Sequence, residues 1–364
     1  KVRKMKPFIR NLLRMSVYQI KYMDAVPDSA VCNEAVKLAK RHKFAQLSGF
    51  VNGVLRNIAR NIDSVQLDTL SIRYSMPQWI VDRFVAAYGE KKAEEIFKAF
   101  HNKSTISIRT NLTRCTPDEL RATLEAEGVT VTAVDELNYA FVISGFDYLN
   151  GLQSFRDGLF YVQDISSMLV AQTAAPKKGD YVIDVCAAPG GKSTHIAELL
   201  QGSGHVLARD LTDNKVDMIE ENIERHGLNN MSAEVWDATV FDADSAGKAD
   251  ILICDLPCSG LGVLGRKKDI RYKMTPESVD ELAALQRQIL DTVHTYVKPN
   301  GVLVYSTCTI DEAENEDNVR WFIEKHPEFE LDKSFAEGTG MKQILPGEHG
   351  SDGFFIARFI KSKL

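Results

Sequence analysis

Apolar residues recur at helical spacing through the first sixty positions. Ile9, Leu12, Leu13, Val17 and Ile20 form one stripe, Val31, Ala35, Leu38 and Ala39 a second, and Phe50, Val51, Val54, Leu55 and Ile58 a third. Val26-Pro27-Asp28 breaks the pattern between the first two. Three short helices bury little on their own, so this segment is expected to be truncated or to dock on the rest, and the opening on Lys1 inside a helix points the same way. Helical spacing resumes at Met76-Pro77-Gln78-Trp79 and continues to Phe100. The pattern then switches to period two over 106–112, which predicts a strand. Thr116-Pro117-Asp118-Glu119 has the form of a capping box with proline at the first helical position, predicting a helix to about Ala126. Strands are predicted over 129–134 and 139–143.

Beyond Asp180 short apolar runs alternate with amphipathic stretches. Strands are predicted at 181–185, 205–210, 232–236, 250–255 and 302–306, and helices at 192–200, 213–226 and 276–297. Such alternation calls for a mostly parallel, doubly wound sheet with helices on both faces. A last strand at 354–359 is expected at an antiparallel edge. The division that follows is an all-α segment over 1–62, a small α+β domain over 63–160 and a Rossmann-like α/β domain over 161–364.

Composition changes this picture in one respect. With 44% hydrophobic and 26% charged residues the chain is an ordinary globular protein, and no apolar run approaches the roughly 20 residues of a membrane span. Net charge is −6, yet residues 1–60 hold thirteen Lys/Arg against three Asp/Glu, leaving thirty-one against forty-seven for the remainder. A basic arm on an acidic body suits a nucleic-acid partner, because the local field steers phosphates. Arg3, Lys4, Lys6, Lys40, Arg41 and Arg56 are the candidate phosphate contacts. Six cysteines in this length make no disulfide framework, and no Cys/His cluster has metal-ligand spacing. Cys32, Cys115 and Cys254 are expected as buried small hydrophobes.

The candidate chemistry lies at predicted strand ends. Cys186-Ala187-Ala188-Pro189-Gly190-Gly191-Lys192 follows the first strand of the α/β domain, where such sheets bind nucleotide cofactors. It lacks both G-x-G-x-x-G and the P-loop spacing, which argues against a dinucleotide and a triphosphate. Asp210 is placed to hold ribose hydroxyls and Asp237 an adenine amino group, so an adenosine-type ligand with a methyl-sulfonium centre fits. Asp255-Leu256-Pro257-Cys258-Ser259-Gly260 and Ser306-Thr307-Cys308-Thr309 bring two thiols to neighbouring strand ends. A thiolate adding to C6 of cytosine makes C5 nucleophilic enough to take a methyl group. Cys308, Cys258 and Asp255 are the candidate catalytic residues; a neutral Asp255 could donate to N3, and the residues alone leave open both its protonation and which thiol attacks. Reactive free thiols call for a reducing cytoplasm.

The stretches Asp184 to Lys192, Asp255 to Gly262 and Tyr305 to Thr309 followed by Glu314-Asn315 resemble the motifs of the Sun-type RNA (cytosine-C5) methyltransferases. Ile108-Arg109-Thr110-Asn111 and 161–167 match motifs upstream of that family's core, and the basic arm resembles the later half of a NusB-like RNA-binding domain. The combination is that of the family's bacterial ribosomal small-subunit methyltransferase B branch. The resemblance implies a class I methyltransferase fold and a monomer acting on small-subunit ribosomal RNA. It implies S-adenosyl-L-methionine held by 186–192, Asp210, Asp237 and Asp255, Cys308 as nucleophile and Cys258 in product release. Lys268 stands where the family usually carries proline. Transfer RNA as substrate, or a non-catalytic assembly factor with a vestigial cofactor fold, are the competing readings.

Overall fold

The computed structural model describes residues 2–65, 68–102 and 105–363, without the side chain of Arg3. It divides into two compact units, Lys1–Arg73 and Tyr74–Leu364. The first is built from α1 (Pro7–Tyr22), α2 (Asp28–Arg41) and α3 (Ser48–Asn61), followed by the single turn α4 (Leu70–Arg73). Proline at the first position of α1 costs no hydrogen bond, because that amide has no helical partner. The three stripes converge on one core of Ile9, Leu12, Leu13, Cys32, Ala35, Ala39, Val51 and Leu55. Phe50 is the exception, turned to solvent. Lys4, Lys6, Lys40, Arg41 and Arg56 are exposed.

The second unit opens with α5 (Gln78–Tyr88) and α6 (Glu90–Ala99), then forms an antiparallel sheet of β1 (Ile106–Thr110), β2 (Thr130–Val134), β3 (Leu137–Ser144) and β4 (Phe160–Val162) in the order β2-β3-β1-β4. The strand predicted to reach residue 112 stops at Thr110, because the Asn111 carboxamide turns the chain by accepting from the Thr113 amide and hydroxyl. Between β1 and β2 runs α7 (Pro117–Ala126), whose capping box forms as expected. After α8 (Gln153–Arg156), β4 completes the sheet. Three residues are too few for a period to show, and a boundary at residue 160 falls on the first of them.

A second sheet carries the rest. In chain order its elements are α9 (Ile165–Ala174), β5 (Tyr181–Asp184), α10 (Gly191–Leu199), β6 (His205–Asp210), α11 (Asp213–His226), β7 (Met231–Val235), β8 (Ala249–Asp255), α12 (Ile270–Lys273), α13 (Pro276–Val293), β9 (Val297–Thr307), α14 (Glu316–Lys325), β10 (Phe329–Leu331), β11 (Met341–Ile344) and β12 (Phe354–Lys361). The strand order is β10-β12-β9-β8-β5-β6-β7, with β11 also paired to β12. Strands β9, β8, β5, β6 and β7 are parallel. Apolar residues of α13 and α14 pack on one face, and those of α9, α10 and α11 on the other, so the central strands are apolar on both sides. This is the doubly wound arrangement the alternation predicts.

The last strand corrects one expectation. It is antiparallel to β9, but it lies inside the sheet rather than at its edge, with β10 and β11 on its far side. Those partners have three and four residues, and β11 is half polar, so neither stands out as an apolar run.

Candidate active site

The strand order brings the carboxyl ends of β9, β8, β5 and β6 side by side, and the sequence motifs follow those ends. The loop after β5 is fastened to β6: the Ala187 amide donates to the Arg209 carbonyl at 2.8 Å, and the Ala188 amide to the Asp210 carboxylate at 2.9 Å. Gly190, at φ +101°, turns the loop into α10, a conformation that side-chain-bearing residues rarely adopt. Asp210 is buried and also accepts from the Leu211 amide and the Lys215 ammonium, both at 2.8 Å. Asp237, after β7, is exposed; its carboxylate accepts from the Thr239 amide and hydroxyl, which holds it ionised below the usual range. Asp184 is fully buried, accepting from the Ser193 hydroxyl, and burial pushes its carboxyl up to about 7.

From the first turn of α10 the Lys192 ammonium reaches the Asp255 carboxylate at 2.7 Å, tying the cofactor loop to the end of β8. Burial alone would lower the lysine, but Asp255 and Asp184 hold it above its ordinary value. The other Asp255 oxygen accepts from the Ser306 hydroxyl at 2.8 Å, across the β8–β9 pairing. Both oxygens therefore act as acceptors. Lys192 and Ser306 are thus the donors that hold the Asp255 carboxyl at the end of β8.

Cys258 and Cys308 lie with their sulfurs 3.2 Å apart, as free thiols, each half-buried. That separation far exceeds a disulfide bond of about 2.05 Å and matches a thiol donating to a thiolate. The two sulfurs are shifted in opposite directions. The Cys258 S–H pulls Cys308 below its ordinary value, against burial and Asp255, and the Lys192 and Lys267 ammoniums add to the lowering. Cys258 is pushed well up by the same contact, by burial and by Glu314. Burial raises Cys32, Cys115, Cys186 and Cys254 as well, so Cys308 alone among the six is shifted toward thiolate. Cys32 and Cys254 are buried as expected, whereas Cys115 is half-buried.

Two connections escape sequence reading. Glu314 is wholly buried; it accepts from the Ser259 amide at 2.9 Å, the Ser259 hydroxyl, and the Gln286 amide at 2.9 Å, which also donates to the Pro257 carbonyl at 2.8 Å. Burial raises its carboxyl above the ordinary value in spite of these donors. It binds the loop of one thiol to the segment that follows the other. From α5, Arg83 pairs through two nitrogens with buried Asp311, and the Tyr88 hydroxyl donates to the Ile310 carbonyl at 2.6 Å. The Cys308 loop is thereby clamped from a helix more than two hundred residues away in sequence, a separation that leaves no local signal. Gly262 completes the packing: its amide donates to the Cys308 carbonyl, and a Cβ there would lie 2.2 Å from the Gly353 carbonyl oxygen.

The donor set fits a methyl-sulfonium nucleoside. Asp184, Asp210 and Asp255 gather at the loop, with Asp237 at the next strand end, an acidic setting for a cationic ligand. The small residues of 187–191 leave backbone close to where it would lie.

Comparison with known proteins identifies the family. Residues 171–360 match the family model described as 16S rRNA methyltransferase RsmB/F, residues 1–60 the NusB family, and residues 76–146 the ferredoxin-like domain of RsmF/B-like methyltransferases. A probable ribosomal RNA small subunit methyltransferase B of Bacillus subtilis (strain 168) is 38% identical over 99% of this chain and 84% of its own length. Ribosomal RNA small subunit methyltransferase B of Shewanella oneidensis is 32% identical over 97% of this chain and 82% of its own. Among solved structures, NSun6 from Pyrococcus horikoshii with SFG, an S-adenosylmethionine analogue, superposes with a TM-score of 0.72 at 25% identity over 79% of this chain and 99% of that one. The chain belongs to the 16S rRNA methyltransferase RsmB/F family.

Proposed function

We propose that the protein methylates C5 of a cytosine in small-subunit ribosomal RNA through a transient bond between the Cys308 sulfur and C6 of the base. The observation that carries this reading is the thiol pair, 3.2 Å apart, with one sulfur shifted toward thiolate and the other toward thiol beside the Lys192–Asp255 ion pair. S-adenosyl-L-methionine is the cofactor of this family fold and supplies an electrophilic methyl group. Residues 186–192, Asp210, Asp237 and Asp255 would hold it.

The Cys308 thiolate forms the S–C6 bond, and the displaced ring electrons collect toward N3 and the exocyclic N4. The Lys192 ammonium, held by Asp255 at 2.7 Å, would stabilise that charge. With C6 saturated, C5 becomes the nucleophile that accepts the methyl group. A water molecule takes the C5 proton, the freed electron pair forms the C5=C6 bond, and the Cys308 sulfur leaves as thiolate, which restores aromaticity. Cys258, in contact with the departing sulfur, assists this elimination. A base must leave its stack to reach half-buried sulfurs, which loop or single-stranded RNA permits at low cost.

The names of the Bacillus and Shewanella relatives favour ribosomal over transfer RNA. In this reading residues 1–62 are the NusB-like RNA-binding segment, 63–160 an RNA-binding and linking domain, and 161–364 the methyltransferase. Free thiols are maintained by a reducing cytoplasm. Incubation of the full chain with 16S ribosomal RNA transcript and methyl-labelled cofactor, then digestion to nucleosides, should place the label in 5-methylcytidine. Label in another nucleoside, or in transfer RNA alone, would contradict the proposal.

A further inference from the structure

The segment Arg266–Lys273 carries five basic residues and one acidic one, in a body whose net charge is strongly negative. It is built onto the thiol loops. The Gly262 amide donates to the Cys308 carbonyl, the Lys267 amide to the Val263 carbonyl, and a Cβ at Gly260 would lie 2.9 Å from the Ile270 Cδ1 atom. Three of the five cations are already committed. Arg266 is paired with Asp164 and Asp352 at 2.9 and 2.6 Å, and Lys273 with Asp269 at 2.7 Å. The buried Arg271 guanidinium donates to the Ser75 and Leu264 carbonyls at 3.2 Å and to that of Tyr74 at 3.4 Å. These bonds fix the segment in place.

Lys267 and Lys268 remain: both are exposed, and among the described residues neither has an ion-pair partner. Beside them the Tyr272 ring stands 71% exposed, tethered by its hydroxyl donating to the Ser75 carbonyl at 3.3 Å. Two unpaired ammoniums and an exposed, tethered aromatic ring on a rigid rim are the elements that grip single-stranded nucleic acid, through phosphates and base stacking. The hydrogen bond from the Gly262 amide to the Cys308 carbonyl, at 3.1 Å, ties the start of this rim to the loop of the reactive thiol.

We propose, resting on the RNA-methylation reading above, that Lys267 and Lys268 take the phosphates flanking the target nucleotide and that the Tyr272 ring stacks on a neighbouring base. The rim would hold the strand on both sides of the nucleotide while its base turns in to the sulfurs.

The test uses the full chain, 16S ribosomal RNA transcript, and Lys267→Ala, Lys268→Ala, the double variant, Tyr272→Ala and Tyr272→Phe. RNA affinity is measured across a salt series. Each lysine removed should flatten the plot of log affinity against log salt by about 0.7. Arginine replacements should restore the slope. Tyr272→Ala should weaken binding roughly 5- to 150-fold, and Tyr272→Phe, which keeps the ring, should not. KM for RNA rises in each weakened variant, and affinity for S-adenosylmethionine is unchanged. An unaltered slope in the double variant, or equal losses of RNA and cofactor binding, overturns the assignment. If the unaltered chain makes 5-methylcytidine while these variants bind RNA like it, this inference alone falls. If the unaltered chain makes no 5-methylcytidine, the functional reading falls with it.

Discussion

Removing Glu314 should cost both stability and the polarisation of the thiol pair. In Glu314→Ala the Ser259 amide, buried, loses its acceptor, and the Ser259 hydroxyl and Gln286 amide each lose one of two partners. A hydrogen bond to a charged group contributes about 1.5–3 kcal/mol, and an orphaned buried donor costs about 1–3 kcal/mol. The two donors with a second partner recover part of this, and a desolvated carboxylate is removed, so the net loss should be about 3 kcal/mol. That is roughly a hundredfold in the folding equilibrium. Urea unfolding should show it as a lower midpoint at unchanged slope. Glu314→Gln keeps the shape and one acceptor oxygen, and should lose only about 1 kcal/mol. Because the same carboxylate binds the Cys258 loop to the Cys308 segment, its loss should also loosen the S–H contact on Cys308. The pH at which iodoacetamide alkylates Cys308 should then move up toward that of an ordinary thiol. A loss below about 1 kcal/mol in Glu314→Ala, with the alkylation profile unmoved, would refute the connecting role.

In the intact protein Cys308 is shifted below its ordinary value of 9.0, and the thiolate fraction grows as pH rises through the shifted value. Alkylation of Cys308 should therefore be half-maximal below pH 9, with Cys258 silent there, and Lys192→Met should move the profile upward. Arg83→Met leaves the buried Asp311 carboxylate without its bidentate partner; it should destabilise the protein by about 3 kcal/mol, and adding Asp311→Asn should restore much of that in a double-mutant cycle. Asp210→Ala frees the Ala188 amide and should weaken S-adenosylmethionine binding while sparing RNA binding, as calorimetry with each ligand would show. Equal losses would remove Asp210 from the cofactor site.

Much of this site is legible in the sequence because its parts are local. The loop after β5, the acid ending β6 and the two cysteines each follow a short apolar run, and in a parallel sheet such runs end on the same side. What was not legible depends on contacts far apart along the chain. Arg83 meets Asp311, and Glu314 meets Ser259, only after folding, and no spacing announces either. The Lys192–Asp255 contact could not be read because its partners stand sixty-three positions apart. The interior placement of β12 was hidden for a simpler reason: β10 and β11 are too short and too polar to show as strands.

The most direct measurement captures the covalent step. The Cys258→Ala chain, given S-adenosylmethionine and 16S ribosomal RNA transcript, should accumulate an RNA-linked species that survives a denaturing gel. Peptide mapping should place the link on Cys308, and Cys308→Ala should give none. A link on Cys258, or an adduct that persists without Cys308, would contradict the account.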